Sequence, residues 1–412
     1  MLLNKLIGLR DMRNVLYRIL LIVIIVGAAI QQGCDGDPDL VEPVLPEVPT
    51  GVTPIPPVDI ENLRMNELQA IGSHNSYRLR TYQPLLDYLI PLGSIQGNDP
   101  LELDYTHEAL TTQFDTFNVR SIEIDLYNDP IGGAYYYRQG NNLISEPTAS
   151  NEPDLLNSGM KVLHIIDVDY LTHHLNLFSA LVTIRDWSNL HVNHLPLIVM
   201  IEAKETGIPL MTTPVPFNAV AFDALDAEVA AVFGANLGQV VTPDDFRGTY
   251  TTPNEAALAG AWPTLAASRG TIYFVLMLSA AQKSDYLSGH PALSGRTMFI
   301  FGDPGADETA FTKYDDPFAN QDTIQSLVLS GYMVRTRADA GTWEARSGDY
   351  TRMDIAFTSG AQIISTDYYR PDERAPTDPD WSDYSVQLPN YVVARLNPVN
   401  GPVEYLGVTI AE

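Results

Sequence analysis

The chain has 412 residues, of which 45% are hydrophobic and 18% charged, and its formal net charge is −27. That length and balance describe one large globular domain or two ordinary ones and exclude a disordered chain. The acidity excludes a nucleic-acid groove, which needs interleaved basic and aromatic residues, and a polybasic lipid-binding patch; its plain reading is solubility or adaptation to a salty medium.

In chain order, Lys5, Arg10, Arg13 and Arg18 precede Ile19 to Ile30, twelve residues without a charge, and then "QQGC". This is the layout of a secretory signal over residues 1–33. A membrane-spanning helix needs roughly 20 apolar residues, so a retained span would have to recruit the weaker flanks. Cys34 is the only cysteine, which excludes an internal disulfide. Its place behind a glycine at the end of the apolar run resembles the lipidated cysteine of bacterial lipoproteins, although Gln31 stands where such signals usually carry leucine. The expected location is therefore outside the cytoplasm, lipid-anchored to a bacterial membrane (periplasm or cell surface) or secreted after plain cleavage. Residues 34–60 are acidic and carry seven prolines, the composition of an extended, semi-rigid tether.

From residue 61 onward, eight short apolar runs bounded by turn formers read as strands: 67–73, 119–126, 160–166, 195–203, 270–278, 296–302, 331–338 and 360–368. Between several of them lie helical patterns. The clearest is "FNAVAFDALDAEVAAVFG", with Val220, Leu225, Val229 and Val232 at helical spacing; "DTIQSLVLSG" and "TRMDIAFTSG" run straight into the next strand. Strand, helix, strand, repeated, means a parallel sheet. Eight such strands over this length predict an α/β fold, a (β/α)8 TIM barrel forming a single catalytic domain with insertions. An open doubly wound sheet is the competing architecture, but no Gly-rich phosphate fingerprint follows the first strand. The stretch 370–412, rich in Pro, Asp and Tyr, reads as a packed extension of the same domain.

Active sites of such barrels lie at the carboxyl ends of the strands. His74 and Asn75 follow the first run. Glu123 and Asp125 alternate on the second, His164 lies in the third, and Glu202 and Lys204 alternate at the end of the fourth. Arg335 and Arg337 alternate on the seventh, and Asp367 closes the eighth. Residues two apart on a strand share a face, so each alternating pair points the same way. Three carboxylates with an asparagine are a hard oxygen set suited to Ca²⁺ or Mg²⁺ rather than zinc. Two histidines nearby offer acid and base near neutral pH, and the lysine and arginines suit a phosphate. Each residue alone has an ordinary structural reading as a turn, cap or salt-bridge group. Charges inside four apolar strands are costly without partners, and together they describe metal-assisted phosphoryl transfer. His107, His173, His174, His191, His194 and His290 fall in loops or helical surroundings and read as non-catalytic.

The order "SHNSY", "SIEIDL", "VLHIID", "LIVMIEAKE" resembles the catalytic half of phosphatidylinositol-specific phospholipase C, and more closely the secreted bacterial calcium-dependent group. "FRGTYTT", "WPTLAASRGTIYFVL" and "VRTRADAGTWEARSGDYTRMDIAFTSGAQIISTDYY" carry the likeness on, over roughly residues 65–398. The resemblance implies His74 and His164 as the catalytic pair, Asn75, Glu123, Asp125 and Glu202 as Ca²⁺ ligands, and Lys204 and Arg335 against the inositol phosphate. Arg337 joins the substrate-binding set because it shares a face with Arg335. It further implies attack of the inositol 2-hydroxyl on phosphorus, giving a cyclic inositol phosphate and diacylglycerol, with either His74 or a carboxylate beside the metal taking the hydroxyl proton. The implied partners are a phospholipid or inositol phosphodiester substrate and a membrane surface, on which Tyr135, Tyr136 and Tyr137 could form a rim or else pack on the barrel mouth; a monomer is expected. Two alternatives stay open: a glycerophosphodiester phosphodiesterase, which normally opens with His-Arg-Gly rather than "HNS", and a non-catalytic, lipid-anchored binding protein on the same barrel.

Overall fold

The computed structural model describes residues 59–94, 99–234 and 237–412. The expected signal segment, Cys34 and nearly all of the expected Pro-rich tether lie outside the described residues. Among the described residues, no helix is long and apolar enough to cross a membrane.

Among the described residues, ten strands form one sheet. In chain order they are β1 (Leu68–Ser73), β2 (Ser121–Tyr127), β3 (Lys161–Val162), β4 (Leu197–Ala203), β5 (Ile272–Met277), β6 (Phe299–Phe301), β7 (Thr309–Lys313), β8 (Met333–Arg337), β9 (Ile363–Thr366) and β10 (Ala394–Leu396). Eight of them, all but β3 and β10, pair in parallel, and the pairing of β1 with β2 closes the ring. The TIM barrel expected from the strand and helix pattern is present.

Its strand membership differs from the sequence reading at two places. The run 160–166 is not a barrel strand. Only Lys161–Val162 is extended, and it pairs antiparallel with Leu126 and Tyr127 of β2. The chain then reverses in a turn where Asp169 N–H donates to the Ile165 carbonyl at 2.9 Å. Leu163, Ile166 and Val168 of this segment pack with Tyr127, Tyr135 and Tyr170 in a small cluster apart from the main core. The missing barrel strand is β7. Its sequence, "TAFTK", has no continuous apolar run, and 302–308 joins it to β6 without a helix, so neither signal of a βα unit marks it.

The helices form where capping and periodicity agree. Asp316 caps Pro317–Ser330 by accepting from Phe318 N–H, Pro317 sits at the first helical position, and Gly331, in the left-handed region, ends the helix just before β8. In Ala219–Phe233 the buried residues include Leu225, Val229 and Val232, whereas Val220 is exposed; Ala221 and Phe222 fill the inward positions of that first turn.

Strand parity divides the core. Ile122, Ile124 and Leu126 of β2, Val199 and Ile201 of β4, Val334 of β8 and Ile364 of β9 face the helices in the main cluster. Ile198, Met200, Tyr273, Val275, Phe299, Phe311, Met333 and Ile363 fill the lumen with Trp262 and Phe246. The period of two therefore sends Glu123, Asp125, Glu202, Arg335, Arg337 and Asp367 into the lumen, at its carboxyl end.

The seam between β1 and β2 is narrow. They pair only at Gly72 and Ser121, and Leu68–Ala70 pairs antiparallel with β10 instead. A methyl group on Gly72 would stand 2.9 Å from Ser121 Cβ and 3.1 Å from its carbonyl oxygen, closer than such atoms pack. Gly72→Ala is therefore expected to destabilise the protein by about 1–3 kcal/mol, the usual cost of overpacking, measured by urea denaturation against the parent.

Candidate active site

The loop after β1 carries His74 and Asn75 and is stitched to strands on both sides. His74 N–H donates to the Thr366 carbonyl of β9 at 3.0 Å, Ser76 N–H to the Glu123 carbonyl at 2.9 Å, and Glu123 N–H to Ser76 Oγ at 2.8 Å. Asn75 is left-handed, with φ 49°, a conformation that asparagine tolerates better than most residues. The loop thus holds His74 and Asn75 between β9 and β2.

Glu123, Asp125 and Glu202 offer carboxylate oxygens that all lie within 4.8 Å of one another. Glu123 and Asp125 are buried, and Glu202 is partly exposed. Burial pushes the Asp125 carboxyl well above the usual range, Lys204 opposes this, and crowding by Glu202 and Glu123 adds to it. Glu123 is held below its usual range despite burial, because His74 and Arg335 stand beside it. Asn75 Oδ1 and Asp125 Oδ1 are buried and accept no hydrogen bond. Buried oxygens without donors, next to crowded carboxylates, fit a hard divalent cation such as Ca²⁺. Asn75, Glu123, Asp125 and Glu202 are the residues that would hold it.

Both predicted histidines are oriented by carboxylates. His74 Nδ1 lies 2.8 Å from Asp367 Oδ1, and His164 Nδ1 lies 2.6 Å from Asp169 Oδ2. A carboxylate only accepts, so Nδ1 is the protonated nitrogen in each ring and Nε2 is left for chemistry. His74 Nε2 is 3.7 Å from Glu123 Oε1. Burial pushes His164 down to about 4, with Lys204 and Arg78 adding to the effect and Asp169 opposing it. Asp367 is held low against burial by His74 and Arg337. The third sequence run thus supplies His164 from a turn after β3 and not from a barrel strand.

The predicted cations divide into two kinds. Lys204 Nζ is 3.1 Å from Asp125 Oδ2 and 3.8 Å from Glu202 Oε2, and Arg337 Nη2 donates to Asp367 Oδ2 at 2.8 Å. Both line a cavity of about 900 Å³ together with His74, Asn75, His164 and Glu202. Arg335 is wholly buried and is not among the residues lining that cavity. It donates to Glu123 Oε2 at 2.9 Å, to Ser365 Oγ at 3.0 Å and to Asp315. Of the three tyrosines, Tyr135 is buried and donates to the Asn128 carbonyl at 2.9 Å, Tyr136 is half-buried, and Tyr137 is exposed.

Sequence reading missed Asp169, Arg78, Asp315, Asp339 and Tyr105. Asp169 follows His164 by five positions, but the strand assigned to 160–166 hid the turn that brings them together. Asp339 lies two positions beyond Arg337, and its carboxylate accepts from Asp367 N–H at 2.9 Å. His107, read as non-catalytic, is buried against Tyr105 and Tyr369, and its Nε2 donates to the His74 carbonyl at 2.7 Å.

A family model described as phosphoinositide phospholipase C, Ca²⁺-dependent, matches residues 63–398. No match is found among curated proteins. Similar solved structures include a calcium-dependent phosphoinositol-specific phospholipase C from Pseudomonas sp, at 15% identity and TM-score 0.47, covering 82% of this chain and 96% of that one. Another is a Ca²⁺-dependent phosphatidylinositol-specific phospholipase C from Streptomyces antibioticus, at 16% identity and TM-score 0.45, covering 74% and 95%. A third is the phosphatidylinositol-specific phospholipase C of Listeria monocytogenes, at 10% identity and TM-score 0.42, covering 75% and 90%.

Two measurements check this site. Calcium that binds only the folded protein raises its stability by about 2.7 kcal/mol at a hundred times Kd; Asp125→Asn is expected to abolish the calcium-induced rise in Tm. His107 is the second probe, because burial pushes it from 6.5 to about 4. A folded pKa below the unfolded one contributes stability that is present above pH 6.5 and is lost as pH falls through 4. His107→Gln is therefore expected to flatten the fall in Tm between those pH values relative to the parent, in scans at matched ionic strength.

Proposed function

Since the chain belongs to the Ca²⁺-dependent phosphoinositide phospholipase C family and is a phosphodiesterase of that type, we propose that it cleaves inositol phospholipid, or a related inositol phosphodiester, by intramolecular attack of the 2-hydroxyl. The observation that carries this reading is the convergence of two carboxylate-oriented histidines and a cluster of acidic oxygens on one cavity also lined by Lys204 and Arg337.

Bound at Asn75, Glu123, Asp125 and Glu202, calcium supplies positive charge that lowers the pKa of the attacking hydroxyl and offsets charge on the phosphate. His74 Nε2 accepts the proton of the 2-hydroxyl as its oxygen bonds to phosphorus. Asp367 holds the ring in the required tautomer and stabilises the imidazolium that forms. His164 Nε2 gives a proton to the glycerol oxygen as the bond from that oxygen to phosphorus breaks, releasing diacylglycerol and a cyclic inositol phosphate. His164 is neutral in the free protein near pH 7, and the negative charge of the incoming phosphodiester favours its protonated form. Lys204 and Arg337 face the phosphate from the cavity wall. Arg335 acts one step back, holding Glu123 in its ionised form. The signal segment and Cys34 support export with lipid attachment to a bacterial membrane, which would keep the cavity within a tether's reach of its substrate.

The test is a phosphodiester panel, phosphatidylinositol vesicles and glycerophosphoinositol included, assayed with millimolar Ca²⁺ and with chelator. A cyclic inositol phosphate formed only with calcium is expected, and His74→Ala and His164→Ala should each lower the rate on the order of 10²-fold or more. Glycerol phosphate as the product would move the assignment to glycerophosphodiester chemistry. Headgroup binding without turnover of any diester would leave a binding protein.

A further inference from the structure

Arg78 has no exposed surface and does not line the cavity, yet it joins the segments that carry both histidines. It stands three positions after Asn75 in the loop following β1, and its own N–H donates to the Asn75 carbonyl at 2.9 Å. Its Nε donates to Asp169 Oδ2 at 2.5 Å, Nη1 to the Tyr105 carbonyl at 2.8 Å, and Nη2 to Thr81 Oγ1 at 2.9 Å and to the Leu103 carbonyl. The guanidinium also lies 4.2 Å from the centre of the Tyr105 ring. All three nitrogens of the fork are occupied, and no shorter or single-point cation could make these contacts together.

The other half of the arrangement is Asp169. Oδ2 accepts from both Arg78 Nε and His164 Nδ1, and Oδ1 accepts from Thr81 Oγ1 at 2.5 Å. His164 needs such an anchor. Its segment leaves regular pairing at Val162 and crosses a tight turn, so no strand fixes the ring as β2 and β9 fix the loop of His74. We propose that Arg78 is the positioning residue for His164: acting through Asp169 and never touching substrate, it sets the ring's tautomer and direction and limits how strongly the carboxylate holds the imidazole proton.

The charges that face His164 act in opposite directions. Asp169 attracts its proton. Arg78 and Lys204 repel it, and the Tyr127 hydroxyl donates to the His164 carbonyl at 3.2 Å. With Arg78 present, the charge of Asp169 is shared between guanidinium and imidazole. Without it, the whole charge falls on the imidazole and a nearby cation is gone, so the proton is bound more tightly. Both changes have the same sign.

This inference rests on the reading of His164 as a catalytic group, and its primary test does not need turnover. The titration of the His164 ring is followed by NMR in isotope-labelled protein, with His164→Ala identifying the signal. Arg78→Met is expected to move that titration to higher pH, Arg78→Lys to move it less, and Thr81→Val, which leaves Arg78 in place, to leave the direction of the effect unchanged and its size small. In the assay, Arg78→Met should lower kcat by about 10- to 100-fold, the scale seen when a group supporting a site residue is lost, with KM changed far less. The limb of the pH profile owned by His164 should shift upward with it, and adding Arg78→Met to His164→Ala should cost almost nothing more. If Arg78→Met does not fold, Arg78→Lys and Thr81→Val carry the same titration and double-variant readouts. An unshifted His164 titration in folded Arg78 variants, or rate losses that multiply in the double variant, would overturn the proposal. An unchanged rate in His164→Ala alone, with the titration shifted, would instead remove the catalytic reading and leave the positioning intact.

Discussion

A charge placed inside a β-barrel has no water to turn to, so its neighbours must neutralise it, and this constraint organises the carboxyl end of the lumen. Below it the lumen is filled by Met200, Tyr273, Phe299, Phe311 and Trp262. Above that layer, the inward positions become charged. Breaking one partner out of a buried ion pair typically costs about 3–5 kcal/mol, so the pairings hold each other in place. Arg335 ties Glu123 to Asp315, Arg337 ties Asp367 to Asp339, and Lys204 bridges Asp125 and Glu202. What the pairings leave over is a small number of oxygens, chiefly Asn75 Oδ1 and Asp125 Oδ1, with nothing to accept from. The same accounting that stabilises the barrel thus prepares the place for a cation.

The sequence shows most of this because the strand period is two. Once Ile122, Ile124 and Leu126 are assigned to the helix-facing side, Glu123 and Asp125 have to point inward, and the same holds for Arg335 and Arg337 around Thr336. Two kinds of information were out of reach. Thr309–Lys313 carries no apolar run and no preceding helix, and its place in the barrel depends on neighbours β6 and β8 that lie elsewhere in sequence. Conversely, 160–166 is as apolar as a strand, but its side chains serve a separate cluster, and the turn at Ile165–Asp169 ends its pairing. The partners of the histidines were invisible for a related reason. Asp367 stands 293 positions from His74, and Asp169 reaches Arg78 across 91, so only the closed ring and the folded insertion bring them together.

The two histidines are consequently supported by different means. His74 belongs to a loop clamped by main-chain bonds to β2 and β9, with His107 holding its carbonyl. His164 precedes a turn closed by main-chain bonds between Ile165 and Asp169, and its ring is held by Asp169, which Thr81 and Arg78 hold in turn. The two imidazoles that line one cavity are thus each held by a carboxylate, Asp367 for His74 and Asp169 for His164, on differently built segments.

The narrow seam between β1 and β2 bears on how such a chain is made. Leu68–Ala70 pairs with Ala394–Leu396, and Arg120 pairs with Glu412 across 292 positions, with Leu195 N–H joining the same carboxylate at 2.6 Å. Contacts of that sequence separation form late and slowly. A polypeptide delivered amino end first would leave Leu68–Ala70 without this antiparallel partner until residues near 394 had arrived. The β10 strand then works as a latch that arrives after the eight barrel strands, and until it does the amino-terminal half of β1 offers an unpaired edge on which a chaperone or a misfolded neighbour would act.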